Sequence, residues 1–203
     1  MSNTKEKILA VALRLFARDG YEGVSVSDIS SAVGITKGAL YKHFKNKRDV
    51  FESIVAKLHT IDAASAREAG LPEQNFDAAP ETYRNLSPDD VKAFALSQFA
   101  FWTQDEFGRD LRKMLTLEQY RNDEIATLNE KCLTTGPLRY LSDVFLHTDG
   151  LDCSKSNAYA LAVEFYAPIY LMINASDSPS QCRNATELLQ NHVDSFFKKH
   201  KKE

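Results

Sequence analysis

Apolar and polar residues alternate with the helical period along most of this chain. Near the start, five apolar residues recur at helical spacing: Ile8, Val11, Ala12, Leu15 and Phe16. This pattern predicts an amphipathic helix from about residue 4 to residue 19. Gly20 follows it and is typical of a left-handed C-terminal cap.

The next segment predicts two short helices joined by a tight turn. Ser25 and Asp28 have the spacing of a capping box, which opens a helix that Gly34 ends after about two turns. Thr36 is then expected to cap a second helix over 37–44. Two short helices around a glycine turn are typical of the helix-turn-helix unit.

The remaining sequence also predicts helices only. Asn46 opens a longer helix to about residue 69, and residues 70–87 read as a loop because they contain Gly70, Pro72, Pro80 and Asn85. Further helices are expected from residue 88 and over about 109–115, 117–133, 138–147, 157–175 and 185–197. The predicted fold class is therefore all-α, with an N-terminal three-helix helix-turn-helix domain over 1–60 (recognition unit about 25–44) and a C-terminal helical-bundle domain over 61–203.

Composition narrows the class of protein. The chain has 203 residues, of which 43% are hydrophobic and 26% charged, as expected for a soluble globular protein. The most apolar segment, 158–175, contains Glu164 and Pro168, so it reads as a buried helix and we expect no membrane partner. The cysteines are odd in number and widely spaced, which favours a reducing cytoplasm without a disulfide framework or metal site: Cys132, Cys153 and Cys182.

Charge is distributed unevenly along the chain. Residues 1–60 carry 10 Lys/Arg and 6 Asp/Glu (+4), whereas residues 61–203 carry 15 and 22 (−7), and these sum to the overall −3. No acidic residue lies between Asp28 and Asp49, although several lysines do. A local basic surface on an acidic protein is what a phosphate-binding module would present, although a solvated lysine-rich face has the same composition.

The second helix of the turn carries the candidate DNA chemistry. Gly38 and Ala39 are small enough to let a helix approach the base edges in a major groove about 12 Å wide. Polar side chains that could contact DNA surround them: Lys37, Tyr41, Lys42 and His43. Lys47 lies just beyond, at the start of the fourth helix, where free backbone N–H groups also favour a phosphate.

Residues 24–47 resemble the DNA-binding domain of TetR-family transcriptional regulators. The matching features are the opening V-S-V-S-D-I, the core A-V-G-I-T-K-G-A-L-Y-K-H-F and the following K-N-K; Ser30 departs from the family's usual Ala. The resemblance covers roughly residues 4–60. Together with the capping pattern, it predicts this DNA-binding set: Ser25, Thr36, Lys37, Gly38, Ala39, Tyr41, Lys42, His43 and Lys47.

Several residues of this set, and two of their neighbours, could instead have an ordinary structural role. Tyr41 could be partly core, His43 could lie on the surface without a base contact, and Gly38 could simply allow close helix packing. Lys45 could be a solvated charge, and Arg48 could pair with Glu52 one helical turn away.

The last two predicted helices suggest an interface between copies of the chain. A helix that is apolar all round, followed by a helix with an unbroken apolar stripe, needs a cover, which is either intramolecular packing or a second copy. A dimer also suits DNA binding, because two helix-turn-helix units read half-sites about 34–36 Å apart, and the resemblance implies the same arrangement. The predicted dimer interface is Leu161, Phe165, Leu188, Leu189, Val193 and Phe196.

A ligand pocket is the remaining expectation for the C-terminal domain. Aromatic residues are abundant there and most should be core, but pockets between bundle helices are common. Glu164 is the most conspicuous polar candidate, with a buried hydrogen bond or a place at the helix rim as its alternatives. The predicted pocket residues are Phe99, Trp102, Tyr120, Glu164, Tyr166 and Tyr170.

These observations predict a cytoplasmic, DNA-binding transcriptional regulator. We expect a dimeric repressor that binds a palindromic double-stranded operator and is released by an unidentified small-molecule effector. The alternative is a protein of the same fold that acts through a protein partner instead of DNA. We expect no catalysis and no cofactor, because the sequence offers no phosphate-binding glycine loop, paired metal ligands or activated nucleophile.

Overall fold

A computed structural model describes residues 2–71, 86–177 and 184–202. Within these ranges the chain forms ten helices and no β-strand, with only two isolated bridges (Leu86 with Thr148, Leu151 with Lys201). The all-α prediction is confirmed. Most of the loop predicted over 70–87, and Cys182, lie outside the described residues. The helices are α1 (Ser2–Asp19), α2 (Val26–Val33), α3 (Lys37–Tyr41), α4 (Lys47–Glu68), α5 (Pro88–Thr103), α6 (Glu106–Glu118), α7 (Asp123–Leu133), α8 (Thr135–Leu146), α9 (Ala158–Ala175) and α10 (Ala185–Lys199).

Several helix boundaries differ from the sequence prediction; the helix expected over about 109–115, for example, is α6, Glu106–Glu118. Helix α3 ends at Tyr41 rather than at residue 44. The helix predicted over 117–133 is two helices, because the Asn122 side chain accepts hydrogen bonds from the backbone N–H groups of Glu124 and Ile125, at 3.1 Å each, and so starts α7. Helix α8 begins before Pro137, since proline is tolerated in a first helical turn.

The chain divides into two compact units. Unit 1 comprises residues 1–61 and 105–129, and unit 2 comprises 62–104 and 130–203. The sequence assigned only residues 1–60 to the N-terminal domain, whereas the structure adds α6 and the first part of α7 to it. Within unit 1, α1 packs along α6, and the Arg14 guanidinium pairs with the Glu106 carboxylate, 92 residues away.

The core of unit 1 is aliphatic and aromatic. One face of α1 is buried, and α1 packs against α2 and α6, which fixes the orientation of α2 in the helix-turn-helix. The largest fully buried side chains of this core are Ile8, Leu13, Phe16, Ile29, Leu40, Phe44, Ile54, Leu111 and Met114.

The core of unit 2 is built on phenylalanines. The ring centroid of Phe165 on α9 lies 4.9 Å from that of Phe196 on α10 and 5.4 Å from that of Phe145 on α8. Among the described residues, α9 is the one helix long and apolar enough to cross a membrane; only 33% of it is buried inside the chain. Helices buried in globular proteins meet the same criterion.

Helix α2 is bounded by the two devices that the sequence predicted. At its start, the Ser25 hydroxyl accepts a hydrogen bond from the Asp28 backbone N–H at 3.2 Å, and the Asp28 carboxylate accepts one from the Ser25 N–H at 2.8 Å. At its end, Gly34 has φ +80°, and its N–H and that of Ile35 donate to the Ser30 carbonyl. The capping box and the glycine turn are both present.

Gly34→Ala should destabilise the protein through the backbone alone. A Cβ at this position would meet no atom within 4 Å, but φ +80° is strained for a residue with a side chain. We expect the free energy of unfolding to fall by about 1–2 kcal/mol, measured by urea denaturation followed by circular dichroism. Gly38→Ala is the matched control, because Gly38 lies outside the left-handed region. Equal unfolding midpoints for the two variants would contradict this account of the turn.

Candidate nucleic-acid interface

Helix α3 presents most of its polar residues to solvent. Leu40 and the nearby Phe44 are buried and anchor the helix, whereas Lys37, Tyr41 and Lys42 are exposed. Tyr41 is 52% exposed, so its alternative as a core residue does not hold. Two further members of the predicted set are half-buried: Ala39 and His43. The structure therefore leaves a cationic, aromatic surface at this helix, and contact with DNA stays a prediction.

Gly38 is not required by packing within the chain. A Cβ built at this position would approach only the Thr36 hydroxyl, at 3.9 Å. The alternative that Gly38 permits close helix packing is therefore unsupported. The open space beside Gly38 is available to a molecule outside the chain.

The two cap residues of the predicted set are exposed but already hydrogen-bonded. The Thr36 hydroxyl accepts from the Ala39 N–H at 3.1 Å and so starts α3. The Ser25 hydroxyl donates to the Asp28 carboxylate at 2.6 Å. Two hydrogen bonds from Ser25 keep the pKa of Asp28 below its ordinary value. The larger effect comes from the Ser25 hydroxyl and the smaller one from the Ser25 N–H.

Two lysines of unit 1 donate to backbone carbonyls. Lys7 Nζ on α1 lies 3.1 Å from the carbonyl oxygen of Val33, the last residue of α2. Lys47 Nζ lies 2.8 Å from the Tyr21 carbonyl oxygen, 4.3 Å from the Tyr21 ring centroid and 3.6 Å from a Glu22 carboxylate oxygen. Sequence reasoning missed both contacts, because each spans 26 residues and leaves no local signal.

Arg48 forms the ion pair with Glu52 that the sequence suggested. Its guanidinium lies 2.8 Å from the Glu52 carboxylate and 2.7 Å from that of Glu124 on α7. Beside it lies a cavity of about 220 Å³, lined by Tyr21, Glu22, Lys47, Arg48, Phe51, Asn122, Glu124 and Ile125. Both cations at the start of α4 therefore have acidic neighbours within unit 1.

The structure separates the residues predicted to form a ligand pocket. Phe99 and Trp102 are buried in unit 2, whereas Tyr120 is 88% exposed and belongs to unit 1. Glu164 is exposed rather than buried; it pairs with Lys199 at 2.8 Å and with His200 at 3.1 Å. Glu164 therefore has the place at the helix rim that was one of its alternatives, and its part in a ligand pocket stays a prediction.

Tyr166 is one of four residues of a polar cluster that the sequence did not indicate, and Tyr170 lies next to Tyr166. The Tyr166 hydroxyl donates to the Leu133 carbonyl at 3.1 Å, and its ring centroid lies 6.3 Å from that of Tyr170. Burial, and to a lesser extent the nearby Asp62 carboxylate, raise the pKa of Cys132 to about 12. Asp62 also accepts from the Gln98 amide at 3.3 Å. We name Asp62, Gln98, Cys132 and Tyr166, one each from α4, α5, α7 and α9, the unit 2 polar cluster.

The residues predicted at a dimer interface are mostly inside the chain. Leu161, Phe165, Leu189, Val193 and Phe196 are buried within unit 2, and only Leu188 is exposed, at 56%. The prediction chose the wrong faces of α9 and α10 for those five residues. The outer face of α9 is nevertheless strongly apolar; its exposed large residues are Tyr159, Val163, Tyr170 and Leu171.

Comparisons with known proteins give this architecture a family. The family model described as "Bacterial regulatory proteins, tetR family" matches residues 8–54. Over 51 residues the chain is 49% identical to the HTH-type transcriptional regulator AcrR of Shigella flexneri, and over 169 residues it is 45% identical to the uncharacterised HTH-type transcriptional regulator YerO of Bacillus subtilis. The N-terminal domain, over residues 8–54, belongs to the TetR family. These alignments cover 25% and 77% of the chain, but only 24% of AcrR and 56% of YerO.

The TetR-family fold extends over the whole chain. A complex of SmeT, the repressor of the Stenotrophomonas maltophilia multidrug efflux pump SmeDEF, with triclosan superposes with a TM-score of 0.67. The superposition covers 99% of this chain and 93% of SmeT at 18% sequence identity. At that identity the likeness establishes the fold and leaves the ligand and the operator open.

The capping box makes the titration of Asp28 depend on Ser25. A lowered pKa means that the bonds to the Asp28 carboxylate stabilise α2 at neutral pH and are lost as the pH falls through that pKa, below the ordinary value of 3.8. In Ser25→Ala the pKa of Asp28 should rise towards 3.8, which carboxyl NMR titration would measure. Asp90, whose pKa is lowered by an equivalent cap at Ser87, is the internal control. An unchanged Asp28 pKa would exclude the capping bond as its cause.

Proposed function

We propose that this chain is a DNA-binding transcriptional regulator that acts as a dimeric repressor in the cytoplasm. The observation that carries the proposal is the exposed α3 surface, where Lys37, Tyr41 and Lys42 surround a glycine with open space beside it. Family membership supports this function. Because the chain spans only a quarter to just over half of the length of the curated relatives described above, operator, effector and assembly are part of the proposal.

Within this proposal, α3 reads base edges and the surrounding groups bind phosphates. Lys37, at the first position of α3, and Tyr41, at its last, stand on either side of Gly38 and can reach groove edges or phosphates. Each phosphate that a lysine neutralises should contribute about −0.9 to the slope of log affinity against log salt concentration. Lys37→Ala should weaken binding and also alter sequence preference, because base contacts and not phosphate contacts carry sequence information.

Gly38→Ala separates folding from DNA binding. Alanine at this helical position should leave stability unchanged or raise it by up to about 1 kcal/mol, since its Cβ enters open space. The same methyl group should push α3 away from the base edges and weaken binding about 10-fold, because each displaced base contact is worth roughly 1–3 kcal/mol. Fluorescence anisotropy with an operator selected from random duplexes measures the affinity, and thermal melting measures the stability.

Gly34→Ala is the comparison variant, because it should lower the stability of the protein whereas Gly38→Ala should not. If Gly38→Ala bound the selected operator as tightly as the unchanged chain, the approach of α3 to DNA would be disproved. If the unchanged chain selected no duplex even at low salt, action through a protein partner would replace DNA binding.

Dimerisation is proposed to use the outer face of α9. Val163 and Leu171 on α9, and Leu188 on α10, are apolar side chains exposed in unit 2. Exposed apolar side chains such as these favour contact with another protein surface that removes them from water, and a second copy related by two-fold symmetry provides one. Two copies also suit a palindromic operator, because each would contribute one helix-turn-helix.

Val163→Glu should disrupt this dimer. Two carboxylates would be buried without partners across a two-fold interface, so the dissociation constant should rise about 30-fold or more. Sedimentation equilibrium of the full chain measures it. Tyr120→Glu introduces the same charge at an exposed aromatic residue of unit 1 and should leave the assembly unchanged. A stable dimer of Val163→Glu would place the interface elsewhere.

Effector binding is proposed for unit 2. The unit 2 polar cluster supplies a carboxylate, an amide and a phenol from three helices, and pockets between bundle helices are common ligand sites. The triclosan complex of SmeT supports small-molecule binding by this fold. A compound screen for release of the selected operator, repeated with Gln98→Leu, tests whether the cluster takes part.

A further inference from the structure

We propose that Lys7 on α1 is a positioning residue for α3 and acts through the turn that joins α2 to α3. The inference rests on the proposed DNA-binding function and gives a role to a residue outside the DNA-binding set that the sequence predicted. The ammonium nitrogen of Lys7 lies 3.1 Å from the carbonyl oxygen of Val33, the last residue of α2.

The end of α2 needs hydrogen-bond donors, because the last carbonyls of a helix have no partner inside the helix. The Ser30 carbonyl accepts from the N–H groups of Gly34 and Ile35, at 3.1 and 3.0 Å. These two bonds are local and close the turn. The Val33 carbonyl accepts its bond from Lys7, 26 residues away. Helix α1 therefore completes a cap that begins within the turn itself.

A charged donor suits the Val33 carbonyl. The C-terminal end of a helix carries a partial negative charge, so an ammonium group is favourable there. A hydrogen bond from a charged donor is also stronger than one between neutral groups. The Val33 carbonyl belongs to the peptide group that precedes Gly34, whose φ is +80°. The Lys7 bond therefore restrains the peptide plane from which the left-handed turn starts.

The backbone that carries Lys7 is held in place. Ile8 and Leu9, which follow it, are buried in the core of unit 1. Glu6, which precedes it, pairs with Lys57 on α4 at 2.7 Å, and α1 packs against α2. Because the donor extends from a fixed helix, its bond can restrain the turn instead of moving with it.

The restrained turn leads directly into α3. Thr36, two residues after Gly34, caps α3 by accepting a hydrogen bond from the Ala39 N–H. Helix α3 has only five residues, so a rotation of the peptide group before Gly34 would displace the whole helix. A misplacement of about 1 Å is enough to weaken a preorganised site. Lys7 therefore influences DNA binding through the position of α3.

The test compares Lys7→Met, Lys7→Arg and Lys5→Met in the full chain. Methionine removes the donor, whereas arginine keeps a charged donor of similar reach. Lys5→Met is the matched control, because it removes the same charge from α1 and leaves the bond to Val33 in place; Lys5 is exposed, with its ammonium 5.3 Å from the Phe44 ring centroid.

Three quantities are measured for each variant. NMR without DNA gives the carbonyl carbon resonance of Val33, which reports the hydrogen bond itself, and the hydrogen-exchange rate of the Ile35 amide, which reports opening of the turn. Fluorescence anisotropy gives the affinity for an operator selected from random duplexes, over a series of salt concentrations.

Under the proposal, the Val33 carbonyl resonance of Lys7→Met moves upfield, because the carbonyl has lost a hydrogen bond. The Ile35 amide exchanges about 5-fold faster or more, and operator binding weakens about 5-fold or more with an unchanged salt slope. Lys7→Arg restores both NMR signals and most of the affinity. Lys5→Met leaves both NMR signals as they are in the unchanged chain.

Two results would overturn the positioning role. The first is a Lys7→Met variant with unchanged NMR signals and a salt slope reduced by about 0.9, which indicates a phosphate contact instead. The second is altered NMR signals with unchanged operator affinity, since the turn would then loosen without affecting α3. Should Lys7→Met fail to fold, Lys7→Gln, which removes the charge and shortens the side chain, is measured in its place with the same expectations.

Failure of the proposed function gives a different result. If the unchanged chain binds no duplex even at low salt, DNA binding is disproved and the role of Lys7 in it falls as well. The NMR signals of Lys7→Met then still show whether Lys7 holds the turn. If the unchanged chain binds DNA, only the variants decide the role of Lys7, so the two failures are distinguished.

Discussion

The left-handed turn at Gly34 is the constraint on which the proposed DNA-binding surface depends. It ends α2 after eight residues by directing two successive backbone N–H groups to the Ser30 carbonyl, and it sets where Thr36 can start α3. A longer α2 would carry the Thr36 cap away from the N-terminal turn of α3. Because α3 has only five residues, each of its few exposed side chains has its place determined by this turn and by the buried Leu40.

The basic charge of unit 1 is less available than its lysine count suggests. Lys7 and Lys47 each donate to a backbone carbonyl, and Arg48 pairs with two carboxylates. Three lysines that are exposed, Lys37, Lys42 and Lys45, lie on or beside α3. Their position near α3 matters because salt screening limits the reach of surface charges to about 10 Å at ordinary salt concentration. A few lysines beside the groove contribute more to specific docking than the same number spread over the unit.

The sequence predicted the parts of the structure that local rules determine. The capping box at Ser25, the turn at Gly34 and the cap at Thr36 each arise from residues within a few positions of one another, and the structure contains all three. The association of α6 with the N-terminal unit, and the contacts of Lys7 and Lys47, could not be predicted. They join residues 26 to 92 positions apart, and a single sequence carries no signal for such pairs.

Helix α9 shows the limit of pattern reasoning most clearly. It is nearly all apolar, so its hydrophobic period does not say which face is core. The sequence placed Leu161 and Phe165 at a dimer interface, whereas both are buried inside unit 2. The packing partner decides the matter: Phe165 meets rings from α8 and α10, which leaves Val163 and Leu171 outside. Exposing an outer face this apolar to water is costly for a single chain. A second copy would cover it and would also add a second five-residue α3 to the proposed contact with DNA. The same surplus of apolar surface that obscured which face of α9 is core is thus the physical reason for proposing that two chains bind the operator together.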